Sequence, residues 1–134
     1  MKLFLTAYLV SIALLSAFLF QDKELEKSME RGSDIYNDFC VNCHLTKGEG
    51  VANTFPPLAK SDYLMKQRDN SIRGIKYGQN GEIKVNNITY NGVMPAMGLS
   101  DEEVADVMNY ISNSWGNVSK KIVTPKEVAL IAKE

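Results

Sequence analysis

Apolar positions divide the 134-residue chain into stretches of different period. Residues 1–20 are almost continuously apolar, interrupted by Lys2, Thr6, Ser11 and Ser16. From Lys23 the pattern turns amphipathic: Leu25, Met29, Gly32, Tyr36 and Phe39 recur at steps of four and three, which predicts one face of a helix. Gly32 is the odd member of that stripe, because glycine inside a helix costs about 1 kcal/mol relative to alanine. A second helix crossing close by, with Tyr110 or Ile111 at the contact, would account for it. Pro56 and Pro57 then hold a loop extended. Ser61-Asp62-Tyr63-Leu64-Met65 predicts a short capped helix, and residues 69–78 a further one closed by Gly78. Residues 81–90 alternate through Ile83, Val85, Ile88 and Tyr90 around Asn86-Asn87, a two-residue β-hairpin pattern. Residues 91–99 have no regular period and predict a loop. Ser100-Asp101-Glu102-Glu103 is a capping box, and Val104, Val107, Met108, Ile111 and Trp115 mark a last long helix with Gly116 placed to stop it. Residues 118–123 read as an exposed linker, and Thr124-Pro125-Lys126-Glu127 opens a short helix that needs a surface to lie on.

Bulk properties narrow this picture only a little. The length suits one domain. Net charge is −1, from 15 basic and 16 acidic residues, with no basic cluster of the kind that binds nucleic acid. Residues 1–20 have the shape of a signal peptide and imply export. The apolar run over 3–20 is also near the roughly 18 residues of a spanning helix, so a retained inner-membrane anchor stands beside a cleaved signal. The predicted organisation is a signal peptide or anchor over 1–20, a domain over 23–117 and an extension over 118–134 with a short helix.

Candidate chemistry sits at the end of the first amphipathic helix, in Cys40-Val41-Asn42-Cys43-His44. C-x-x-C-H is the attachment signal of a c-type haem: each thiol adds to a vinyl group and the imidazole reaches the iron. Rival readings use the same residues. A thioredoxin-like pair wants a helix N-terminus, whereas this pair follows a helix and lies where the dipole disfavours a thiolate. A structural zinc site of cysteine and histidine needs four ligands, and the chain holds two cysteines and one histidine. The remaining readings are a disulfide and two free core thiols.

A second iron ligand is sought among the methionines. Met94 precedes Pro95, which drives it into extended backbone, and it is chosen over Met97, which suits a gap-filling role. Met29 and Met108 fall on helical stripes and are assigned to the core. Arg73 and Lys76 are candidates to neutralise haem propionates.

These residues resemble a class I, mitochondrial-like, monohaem c-type cytochrome of the bacterial periplasm, over about residues 27–117. The resemblance rests on Gly32-x-x-x-Tyr36 before the haem motif, Phe55-Pro56-Pro57-Leu58-Ala59, Tyr90-Asn91-Gly92-Val93-Met94-Pro95 and the Leu99 to Glu103 segment. Asn109-Tyr110-Ile111 and Asn113-Ser114-Trp115-Gly116-Asn117 are similar to cytochrome modules of respiratory oxidoreductases. It implies an all-α cytochrome c fold with crossing terminal helices, one covalent haem c, His44 and Met94 on the iron, and the Pro56 carbonyl orienting His44. The implied activity is one-electron transfer in a periplasmic respiratory chain, between redox protein partners and without catalysis. Two alternatives accompany it: a subunit of, or direct donor to, an oxidoreductase, and a haem enzyme or gas sensor whose methionine dissociates.

Overall fold

A computed structural model describes residues 2–119 and 121–133. Met1, Lys120 and Glu134, which belong to the predicted 1–20 and 118–134 segments, lie outside the described residues. The first helix, α1 (Lys2–Phe39), runs unbroken through the boundary expected near residue 20, and a single turn, α2 (Val41–His44), follows it. Two short helices, α3 (Asp62–Lys66) and α4 (Arg68–Tyr77), lead into a hairpin of β1 (Gln79–Val85) and β2 (Ile88–Met94). α5 (Asp101–Ile111) and α6 (Pro125–Leu130) complete a mostly helical fold with one small antiparallel sheet. Among the described residues no helix is long and apolar enough to cross a membrane. The anchor expected over 3–20 therefore gains no support from them.

The predicted caps and turns form for the stated reasons. Ser61 and Ser100 accept from the amides of Leu64 and Glu103, and the Glu103 carboxylate returns to the Ser100 amide. Asn86 and Asn87 both take positive φ, 50° and 66°, and join the strands in two residues. The hairpin is longer than the alternation suggested: the ladder pairs Gln79 with Met94 and stops there because Pro95 has no amide hydrogen to donate. Met94 thus ends a strand instead of sitting in a free loop.

α1 and α5 cross at Gly32. A Cβ there would collide with the Asp106 carbonyl and stand 2.8 Å from Tyr110 Cβ, so only glycine admits this approach. Tyr36, Val104, Val107, Met108 and Ile111 pack around the crossing. Phe39, assigned to the same stripe, is instead 42% exposed. α5 ends at Ile111, a turn earlier than Trp115 suggested, because the Asn113 and Ser114 side chains bond back to the Asn109 and Tyr110 carbonyls.

The segment after residue 118 is no exposed linker throughout. Val118 is exposed, but Val123 and Val128 are buried in the main core. Asn109 bonds both backbone groups of Val123. Arg68 grips Glu127 with two bonds of 2.6 and 2.9 Å and also reaches the Lys121 and Ile122 carbonyls. α6 therefore has the surface a six-residue helix needs.

Two stability experiments follow. Gly32→Ala overpacks the crossing and is expected to cost about 1–3 kcal/mol in urea unfolding. The Arg68 guanidinium holds the Glu127 carboxyl below its ordinary range. A depressed folded-state value contributes stability above the unfolded pKa, about 4.3, and loses it as the pH falls through the folded value. Glu127→Gln is expected to cost about 1 kcal/mol at neutral pH, with the gap to wild type closing below about pH 4.

Candidate haem site

The end of α1, the α2 turn, residues 54–56 and the inner face of the hairpin surround a cavity of about 740 Å³, its mouth included. A second space of about 660 Å³ continues behind it among α3, α4 and α5. Cys40, His44, Pro56, Gln79, Ile83 and Met94 border both, so the two are halves of one cleft. Among the described residues no lysine, arginine, aspartate or glutamate lines either half.

The hairpin forms one wall by register. Its paired positions Gln79 with Met94, Gly81 with Gly92 and Ile83 with Tyr90 all face the cleft. At the middle pair neither residue has a side chain: a Cβ on Gly81 would meet nothing within 4 Å, and one on Gly92 only the Thr54 carbonyl at 3.8 Å. The wall is therefore flat where a planar ring system would lie. Sequence reading missed this face, although Gln79, Gly81 and Ile83 carry its period-two signal.

The motif residues converge at the opposite side. No disulfide joins the two cysteines; Cys40 is half-buried and Cys43 exposed. Burial, with Cys43 adding to it, pushes the Cys40 thiol up to about 11, the wrong direction for a redox-active thiolate. His44 is buried, and its Nδ1 lies 2.9 Å from the Pro56 carbonyl. A carbonyl only accepts, so Nδ1 carries the hydrogen and Nε2 keeps the lone pair. Burial lowers the His44 pKa, against the opposing hydrogen bond to Pro56, and favours the neutral imidazole a metal requires.

Met94 and Met97 both reach the cleft, but Met94 alone borders its two halves and packs on the core. The predicted cations are elsewhere. Lys76 pairs with Asp101 at 2.8 Å and the Val128 carbonyl at 3.0 Å, away from the cleft. Arg73 bonds Asn70 and the Ala132 carbonyl and lines a polar groove outside the Tyr63–Asn70–Gln79 edge of the inner half. Neither lines the cleft, because both are drawn to the C-terminal segment whose docking was not foreseen. The apolar walls, glycine platform, adjacent thiols and braced imidazole together fit a haem held by two thioethers.

Comparison with known proteins gives the same direction. The cytochrome c family model matches residues 29–115. Cytochrome c-552 of Thermus thermophilus is 40% identical over 94 residues, which cover 66% of this chain and 71% of that protein. The cytochrome c subunit of a quinone alcohol dehydrogenase from Gluconacetobacter polyoxogenes is 32% identical over 72% of this chain, and the gluconate 2-dehydrogenase cytochrome c subunit of Pantoea cypripedii 33% over 85%. This chain spans only 21% and 28% of those two subunits.

The glycine platform is open to a direct check. Gly92→Val keeps a strand-favouring residue but fills the wall, so haem content per chain, read as pyridine haemochrome, is expected to drop severalfold. Asn91→Val, one position along and facing outward, is expected to leave it unchanged.

Proposed function

The chain belongs to the cytochrome c family, and on that premise we propose that it carries single electrons through a haem whose iron is held between His44 and Met94 in the bacterial periplasm. Membership in the family brings one covalent haem c with iron and the role of electron carrier. One observation carries the proposal: Cys40, Cys43, His44 and Met94 border a single uncharged cleft, with the His44 ring already braced by the Pro56 carbonyl.

Each residue has a defined task. Cys40 and Cys43, on the turn that ends α1, supply the two thioethers. Pro56, rigid and lacking an amide hydrogen, presents a fixed carbonyl to Nδ1 and so fixes the tautomer and raises the basicity of Nε2. Met94, at the last rung of the ladder, offers a soft sulfur, and a His/Met pair raises the potential of the haem. The haem itself supplies the one-electron chemistry. Apolar side chains from the hairpin and α4 exclude water, and two protein ligands leave no position for a substrate, which supports a carrier over an enzyme.

Residues 23–117 form the haem domain in this reading, with 118–134 a C-terminal extension whose described residues 121–132 make a strap packed on it, and 1–20 the export segment. Covalent attachment on the outer side of the bacterial inner membrane supports the periplasmic assignment. The partner meets the uncharged rim where Phe39, Cys43 and Val93 are exposed. Transient electron-transfer contacts of this kind bury less than about 1,200 Å². The likeness to dehydrogenase subunits supports a dehydrogenase as donor, with this chain as its attached or separate carrier.

Absorption spectroscopy tests the ligand assignment. Met94→Ala is expected to abolish the far-red thioether–iron band of the oxidised protein, while Met97→Ala keeps it. The opposite pattern would transfer the role to Met97, and a high-spin spectrum in the wild type would end the His/Met reading.

A further inference from the structure

We propose that Tyr36 is a positioning residue for His44: its hydroxyl holds the strained turn that keeps the His44 Nδ1–H on the Pro56 carbonyl. The proposal rests on the reading of His44 as the axial ligand. Its starting point is a backbone outlier immediately after that histidine. Leu45 has φ 62° and ψ 169°, a region that is essentially reserved for glycine. Strain of this kind persists only where the surroundings over-determine it.

The restraint can be named. The Tyr36 hydroxyl donates to the Leu45 carbonyl at 2.7 Å, and the Gly48 amide donates to the same oxygen at 3.1 Å. Tyr36 is 1% exposed and wedged between Tyr110 and Trp115, with ring centroids 5.6 and 5.0 Å away, so its hydroxyl has a fixed position. Burial raises the phenol's pKa, which leaves it a donor at every working pH.

The turn that Tyr36 holds is the same one that frames Pro56. The Gly50 amide donates to the His44 carbonyl at 3.0 Å, and the Gly48 carbonyl accepts from Leu58 and Ala59 at 2.7 and 2.8 Å. A Cβ on Gly50 would collide with the Phe55 carbonyl and come within 2.8 Å of the Pro56 carbonyl. Residues 45–50 therefore lie wedged between the Tyr36 hydroxyl and the carbonyl that braces His44. Releasing one side of the wedge frees the other. A tyrosine on an apolar helical stripe would ordinarily be assigned to packing alone, yet here its one polar atom reaches the backbone of the ligand turn.

The test uses the holoprotein. Tyr36→Phe preserves the ring packing and removes the hydroxyl. In the reduced protein, NMR is expected to show the His44 Nδ1–H exchanging with water about tenfold faster, the effect of losing one ordinary hydrogen bond. The reduction potential is expected to rise, because a looser Nδ1 bond makes the imidazole a poorer donor. Tyr110→Phe removes the other phenol of the cluster and is expected to leave both readouts at wild-type values. A Tyr36→Phe protein that is less stable but keeps the wild-type exchange rate and potential would make Tyr36 a packing residue and overturn the proposal. The double variant Tyr36→Phe/Leu45→Gly guards against a failure to fold. Glycine relaxes the strain, so the exchange rate is expected to return toward that of Leu45→Gly alone, and an undiminished tenfold effect would show that the hydroxyl does not act through Leu45. Absence of a hyperfine-shifted His44 ring in the oxidised wild type would sink the ligand reading and the proposal with it. Failure of the proposal alone leaves that signal intact.

Discussion

The contact of α1 with α5 at Gly32 is the constraint on which the other features depend. α1 ends in Phe39, and the two thiols and His44 follow within five residues. The direction in which α1 points therefore decides where the haem motif opens. That direction is set at the crossing, where a helix backbone sits against the Asp106 carbonyl with no side chain between. Close backbone approach brings Tyr36 onto Tyr110 and Trp115 one turn later, and Tyr36 then reaches Leu45. Packing at the crossing and geometry at the proposed ligand His44 are in this way two ends of one rigid path.

A polar cluster determines the register of that crossing. Asp106 is buried, and its carboxylate accepts from Ser28 at 2.6 Å and from two nitrogens of Arg31 at 2.6 and 2.7 Å. Asn109, one turn on, donates to Ser28 and pairs with Val123. Burying a carboxylate carries a desolvation cost of several kcal/mol, so such a cluster adds little net stability over an apolar replacement. Its contribution is selectivity. Apolar side chains would tolerate a slip of α1 along α5, whereas a slip here leaves a buried charge without its three donors. The same cluster ties down Val123, and so the start of the C-terminal strap.

These relations explain what the sequence disclosed. Caps and turns are local: Ser100 with Glu103 and Asn86-Asn87 each act over four residues or fewer, and they form as expected. The haem motif is equally local, from Cys40 to His44. The helix crossing was legible because a glycine on an apolar stripe has a cost that needs a cause. What was missed depended on distant partners. α5 was read to Trp115 because its apolar positions continue, but Trp115 follows the crossing and stacks on Tyr36 after the helix has ended. Arg73 and Lys76 were read toward the haem because their charge suits a propionate, yet carbonyls and Asp101 near the strap hold them. Phe39 kept the helical period while the core around it stopped at Tyr36, and it passed from core to rim.

The strap completes the cleft from behind. α4 presents Gly74 and Ile75 to the inner half, and a ten-residue helix with one wall on an apolar cavity needs support on its other side. Arg68, Arg73, Lys76 and Tyr77 supply that support by bonding to carbonyls or side chains between Lys121 and Ala132. Each of these bonds on its own contributes modestly. Acting along one face they hold α4 against the cleft, as Gly32 and the Asp106 cluster hold α1 on the opposite side. The hairpin has a brace of its own at the turn: the Asp62 amide donates to the Asn86 side-chain oxygen at 3.0 Å, and the Asn86 amide donates to the Asp62 carboxylate at 2.7 Å. A cleft with two braced helical walls and a sheet tied to α3 can keep both proposed ligands in place through a change of iron charge, and that rigidity is the physical requirement of an electron carrier.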